Sequence, residues 1–148
     1  MASTTFSGPV TSTNGFIGAL TGNIAGTGRI THTPTAINAT ATATAAQVAT
    51  GYITSTSVGT VSITLPTGTL LGAALGATQG TVFDLYIDNT AGASVVTIVV
   101  AVNGILSTAA ADTPGSFGDL TVASGATGLA RFTLMFSSAT AYVFTRTA

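Results

Sequence analysis

The sequence predicts an all-β fold: an antiparallel β-sandwich, or a jelly-roll-like arrangement, with an extended N-terminal arm and at most one or two short helices. Three observations lead to this prediction. Threonine, which favours extended backbone, occupies 31 of 148 positions. Apolar and polar residues alternate in stretches such as residues 60–65 and 81–88, as half-buried strands require. About seven or eight short strand-like runs are separated by turn signals, as in known sandwiches.

Residues 1–43 are predicted to form the arm, and residues 44–148 the sandwich domain. The arm is rich in Thr, Gly and Ala, carries the turn signal Asn14-Gly15, and shows no helical stripe. Simple disorder is the alternative reading of such a segment. Its isolated large apolar residues also suit an arm that becomes ordered when it docks on a partner. The arm anchors that we predict to bind this partner are Phe6, Phe16, Ile17 and Ile24.

The first elements after the arm are a short helix and a strand. Thr44 and Gln47 match a capping box, and Gly51 can end the helix that follows. Residues 60–65 alternate so that valine, isoleucine and leucine share one face, which predicts a half-buried strand. Residues 67–75 carry apolar side chains at spacings of three and four, which predicts a second short helix.

The remaining elements are predicted to be strands. Residues 81–88 alternate, whereas residues 94–102 are apolar on both faces, as a strand buried on both sides requires. The loop 89–93 has the length and the glycine of a β-hairpin, so we expect these two strands to pair. Residues 119–123, 129–136 and 141–147 complete the set, with a last turn at 137–140.

The chain carries only three arginines and four aspartates, and its net charge is −1. Such a charge gives no basic patch for a phosphate backbone, so we expect no nucleic-acid partner. No apolar run is long enough to cross a bilayer, and the N-terminus lacks the pattern of a signal peptide, so we expect no membrane partner. The mean hydropathy of +0.63 is high for a domain with so few charges. We therefore expect a subunit of a larger assembly.

Residue types that perform chemistry are scarce, and we predict no enzyme, no catalytic residue, no cofactor and no metal ligand. His32 is the only imidazole and there is no cysteine, so one chain cannot form a zinc site or a Cys/His dyad. Asp84 and Asp88 would lie on one strand face about 13 Å apart, beyond the carboxylate spacing of glycosidases. The weakest alternative is a hydrolase that uses Asp84 or Asp119.

Several segments resemble small virion proteins of tailed bacteriophages. They are Thr44-Ala45-Ala46-Gln47-Val48-Ala49-Thr50-Gly51, the following runs 52–57 and 61–66, and Phe83-Asp84-Leu85-Tyr86-Ile87-Asp88-Asn89-Thr90 with 95–98. The similarity covers residues 44 to the end and rests on structural motifs. It implies a capsid decoration, or cement, protein: a β-sandwich, often a trimer, which lies over capsomer junctions and stabilises the shell.

We therefore expect a virion structural protein that is made in the host cytoplasm and resides on the capsid surface. Its expected partners are the major capsid protein and further copies of itself, as a trimer. The alternative is a phage tail or baseplate component, such as a carbohydrate-binding receptor module. That module would use Tyr52, Tyr86 or Tyr142 as its sugar platform.

Overall fold

A computed structural model describes residues 31–106 and 119–148 of the chain. The chain divides into two units, Met1–Ile30 and Thr31–Ala148, and every described residue belongs to the second. The predicted arm anchors Phe6, Phe16, Ile17 and Ile24 lie outside the described residues.

The described residues contain short strands, two α-helices and one 3-10 helix. The strands are β1 (Thr35–Ala36), β2 (Ala41–Thr42), β3 (Tyr52–Thr54), β4 (Val61–Thr64), β5 (Val82–Asp88), β6 (Val96–Val99), β7 (Gly104–Leu106), β8 (Thr121–Val122), β9 (Leu129–Ser138) and β10 (Ala141–Arg146). The α-helices are α1 (Ala45–Ala49) and α2 (Gly68–Leu75), and the 3-10 helix is Gly125–Thr127.

These strands form two mixed sheets. The large sheet has the order β1-β3-β5-β9-β10-β7, and the small sheet has the order β2-β4-β6-β8. In the large sheet β1, β3 and β5 are parallel, β9 is antiparallel to β5 and β10, and β7 is parallel to β10. In the small sheet β2, β4 and β6 are parallel, and β8 is antiparallel to β6.

The predicted all-β antiparallel sandwich is therefore wrong. Both sheets mix parallel and antiparallel strands, and helices follow β2 and β4, so the fold is of a mixed, α/β-like kind. From β1 to β6 each successive strand enters the other sheet, so strands that follow each other along the chain are not neighbours. Strands two apart then run in the same direction, which makes them parallel.

The loop after β5 explains why the predicted hairpin does not form. The side chain of Asn89 is fully buried instead of lying in an exposed turn. Its Nδ2 donates hydrogen bonds to the carbonyls of Ser94, Val122 and Ala123, at 2.8, 3.2 and 3.0 Å. Because Val122 belongs to β8, this amide ties the end of a large-sheet strand to the small sheet. The chain then passes from the large sheet to the small sheet, where β6 pairs with β4 and not with β5.

Both predicted helices are confirmed. Thr44 and Gln47 form the expected capping box at α1, and Gly51 follows the helix with a φ of 76°. The α2 helix begins after Thr67, whose hydroxyl accepts from the amide of Leu70. Gly68 and Gly72 lie so close to the β9–β10 turn that a Cβ on either would overlap backbone oxygens of that turn. No helix in the described ranges is long and apolar enough to cross a membrane.

One buried apolar cluster includes residues from both sheets. The large sheet contributes Ile53, Leu85, Ile87, Ala130, Phe132, Leu134, Phe136, Tyr142 and Phe144, and the small sheet contributes Val61, Ile63, Val96, Ile98 and Val122. The Phe132 and Phe144 rings stack at 4.8 Å. The expectation that β6 is buried on both faces is wrong, because Val99 on its other face is 40% exposed.

Candidate contact surface

The outer face of the large sheet, opposite the buried cluster, carries the most distinctive side chains of the described residues. Alternation along β5, β9 and β10 sends one set of residues into the core and the other outwards. Strand register then decides which outward residues become neighbours. The result is an apolar row at one end of the face and a patch of tyrosines and charges beyond it.

The apolar row consists of Val82, Met135, Val143 and Ile105. Register pairs Val82 with Met135, Met135 with Val143, and Val143 with Ile105, so the row crosses four adjacent strands. At the spacing of neighbouring strands its length is about 14 Å. Val82, Met135 and Ile105 are 55%, 53% and 58% exposed, and Val143 is half-buried.

The second feature, which we call the tyrosine patch, lies further along the same strands. Tyr52 on β3 pairs with Tyr86 on β5, and Tyr86 pairs with Arg131 on β9. Asp84 and Asp88 flank Tyr86 at two residues' distance along β5, and therefore point to the same side. The His32 ring lies 5.7 Å from the Tyr86 ring, and its Nδ1 is 3.0 Å from the carbonyl oxygen of Thr50.

Charge is concentrated in this patch. Among the described residues five side chains carry a formal charge, and Arg146 and Asp119 form an ion pair at 3.0 Å. The other three, Asp84, Asp88 and Arg131, all lie on the outer face around Tyr86. Three of the five charged side chains in the described ranges are therefore neighbours on one face of one sheet.

Asp88 belongs to a network that fixes one edge of the patch. Its Oδ1 accepts hydrogen bonds from the hydroxyl and the backbone amide of Thr90, and its Oδ2 accepts one from the Tyr52 hydroxyl. The Thr90 hydroxyl, followed by that of Tyr52, lowers the pKa of Asp88 because both bonds favour the charged carboxylate. The same bond with Asp88 raises the pKa of Tyr52.

At the centre of the patch, several polar atoms have no hydrogen-bond partner within residues 31–106 and 119–148. Arg131 donates from Nε to the Thr147 hydroxyl at 3.1 Å, and Asp84 accepts from the Thr133 hydroxyl through Oδ1. Within the described ranges, the terminal nitrogens of Arg131, the Oδ2 of Asp84 and the hydroxyl of Tyr86 have no hydrogen-bond partner. Donors and acceptors therefore surround Tyr86 on an accessible face.

The structure separates the three tyrosines that the sequence offered as a sugar platform. Tyr52 and Tyr86 are half-buried neighbours on the outer face. Tyr142 belongs to the core, where its hydroxyl donates to the Pro66 carbonyl at 3.1 Å and burial raises its pKa to about 12. The proposed role of Tyr142 in such a platform is therefore wrong.

The two carboxylates of the alternative hydrolase do not share a site. Asp84 is on the outer face of β5, whereas Asp119 is buried before β8, where it accepts from Thr121 and pairs with Arg146. No group of three or more His, Cys, Asp or Glu residues that could hold a metal ion occurs in the ranges 31–106 and 119–148.

Sequence reasoning missed the apolar row and the grouping of charges. Alternation within residues 81–88 indicated that Asp84, Tyr86 and Asp88 face away from Leu85. Only the pairing of β5 with β3 and β9 brings Tyr52 and Arg131 beside Tyr86. Comparison with family models, with curated proteins and with solved structures found no match to this chain.

Proposed function

We propose that the chain is a non-enzymatic structural subunit of a virion, and specifically a capsid decoration protein that stabilises the shell by surface contact. The observation that supports this most is the apolar row. Three exposed side chains of this row occupy paired positions on one sheet face, and the row itself contains no charged residue. When another protein covers such a surface, the apolar side chains are removed from water and the free energy falls.

The free energy gained by covering the row can be compared with the cost of association. Covering the exposed halves of Val82, Met135 and Ile105 contributes about 1 kcal/mol each, half of a full burial. Association costs at least about 4 kcal/mol in lost translational and rotational freedom. The row alone therefore does not hold a subunit on a shell.

Two further contributions complete the proposal. The arm anchors Phe6, Phe16, Ile17 and Ile24 would add a second apolar contact with the major capsid protein. Assembly into a trimer would let three rows bind together, which raises the overall affinity without any new kind of contact. Because so few charges are available, we expect binding to depend little on salt concentration.

The test combines sedimentation velocity of the purified protein with co-sedimentation on undecorated capsids of its source. We expect a discrete oligomer that saturates the shells and raises their melting temperature. Met135→Asp should weaken shell binding, because it places a charge in the row. The matched control is Val58→Asp, since Val58 is 86% exposed in the loop between β3 and β4, two strands that contribute no residue to the row.

The arm needs its own variant. Phe6→Ser combined with Phe16→Ser should reduce shell binding without changing the thermal melting of the free protein. A stable oligomer that ignores the shells at any concentration contradicts the decoration proposal. Equal shell affinity of the Met135 and Val58 variants contradicts the assignment of the contact to the apolar row.

A further inference from the structure

We propose that the tyrosine patch is a binding site for a neutral saccharide. This site is distinct from the apolar row, and the proposal does not depend on shell binding. It names Tyr52 and Tyr86 as the platform, and Asp84 and Arg131 as the polar groups that orient the sugar. Three observations support this site: the register pairing of Tyr52 with Tyr86, the polar groups that have no partner within the described ranges, and the charge balance of the patch.

The two tyrosines provide an aromatic platform. They are direct neighbours on β3 and β5, so their backbones are about 5 Å apart and both side chains leave the same sheet face. The hydrogens on the apolar side of a pyranose ring carry slight positive charge, and the face of an aromatic ring is negative. A sugar can therefore lie against this pair with its C–H side and keep its hydroxyls at the rim.

The polar groups around the two tyrosines can form hydrogen bonds with vicinal hydroxyls of a sugar. The terminal nitrogens of Arg131 donate, the Oδ2 of Asp84 accepts, and the hydroxyl of Tyr86 does both. None of these atoms has a partner within the described part of the chain. Neighbouring sugar hydroxyls present a donor and an acceptor together, so Arg131 and Asp84 can each satisfy one of a pair.

The second carboxylate has a different task. Asp88 is occupied by Thr90 and by the Tyr52 hydroxyl, so its role is to hold the Tyr52 ring in place. This makes Asp88 a positioning residue. The two carboxylates and one guanidinium of the patch, Asp84, Asp88 and Arg131, give it a negative formal charge. A neutral saccharide is therefore favoured over an acidic one, which the carboxylates would repel.

The experiment is an NMR titration of the full-length protein, observed through the ring signals of its tyrosines. The neutral probes are tetrasaccharides of glucose in α and in β linkage, of mannose, of galactose and of N-acetylglucosamine. The acidic probe is a tetrasaccharide of galacturonic acid. We expect at least one neutral probe to shift the Tyr52 and Tyr86 signals with a dissociation constant of about 1 mM.

Variants separate the platform from the rest of the molecule. Tyr86→Ala should abolish the shifts at Tyr52. Arg131→Gln, which replaces the guanidinium with a shorter neutral amide on the outer face and leaves the core untouched, should weaken binding about tenfold. Met135→Asp is the matched control on the same face, and we expect it to bind the probe like the wild type.

Three results would overturn the inference. They are the absence of shifts with every neutral probe, tighter binding of the acidic probe than of any neutral one, and unchanged binding by both Tyr86→Ala and Arg131→Gln. Shell binding by the Met135 and Val58 variants is measured separately. The failure of one proposal is therefore distinguishable from the failure of the other.

Discussion

The buried tyrosine of β10 makes stability at high pH a sensitive measure of how the two sheets are joined. The Tyr142 hydroxyl donates to the carbonyl of Pro66, which directly follows the small-sheet strand β4 and the buried Leu65. Burial raises the pKa of Tyr142 from 10.0 to about 12. The folded protein therefore holds this proton across a pH range in which the unfolded chain has lost it.

The sign and size of the effect follow from proton linkage. A raised folded-state pKa contributes stability that is fully present below pH 10 and is lost as the pH rises through about 12. A shift of this size corresponds to a loss of about 2–3 kcal/mol in the free energy of unfolding over that window. Tyr52, whose pKa is also raised, adds a contribution in the same direction.

Urea denaturation at pH 9, 10, 11 and 12 measures this loss, and Tyr142→Phe is the control that isolates it. At pH 9 the variant should be less stable by about 1–3 kcal/mol, because the buried Pro66 carbonyl loses its donor. Between pH 10 and 12 it should lose less stability than the wild type, since the contribution of Tyr142 is absent. Parallel pH profiles for the two proteins would refute the placement of Tyr142 in the core.

Two further predictions concern single contacts. Gly72→Ala should lower the free energy of unfolding by about 1–3 kcal/mol, because its Cβ would overlap the backbone of the β9–β10 turn. Gly59→Ala, with open space around it, should stay within about 0.5 kcal/mol of the wild type in the same urea titration. Thr90→Ala should raise the pKa of Asp88 more than Tyr52→Phe does, because the Thr90 hydroxyl contributes most to its lowering. NMR titration of the Asp88 carboxyl checks this order, and the reverse order would contradict the described network.

Local structure was predictable wherever a short stretch of sequence determines it. The capping box at Thr44 and Gln47 specified α1, because both of its hydrogen bonds form within four residues. Alternation correctly assigned the inward and outward faces of β4 and β5, where Ile63 and Leu85 are buried. The antiparallel pair of β9 and β10 also follows from its tight turn.

The partners of the strands could not be predicted in the same way. Alternation states which side of a strand is buried, but it does not state which strand lies beside it. The loop after β5 has a hairpin's length, and Asn89 is a typical turn residue. Its burial and its hydrogen bonds to Val122 and Ala123 depend on residues more than thirty positions away in the sequence. The loop sequence alone therefore could not predict that the next strand, β6, joins the other sheet.

The same limit applies to the candidate surface. Tyr52 and Tyr86 were identifiable individually as aromatic residues in strands, but their adjacency depends on the parallel pairing of β3 with β5. Tyr142 has the same residue type and a similar setting in the sequence, yet it is buried. Met135 was readable as an outward residue, whereas its place in a row with Val82 and Val143 depends on two register relations.

The proposed contact between the apolar row and a virion shell can be tested by site-specific photo-crosslinking. A benzophenone amino acid is introduced at Met135 in one sample and at Val58 in another, and each protein is irradiated on capsids of its source. We expect a covalent product with the major capsid protein from position 135 and little from position 58. Shells that bind both proteins but crosslink only through position 58 would contradict the proposed contact.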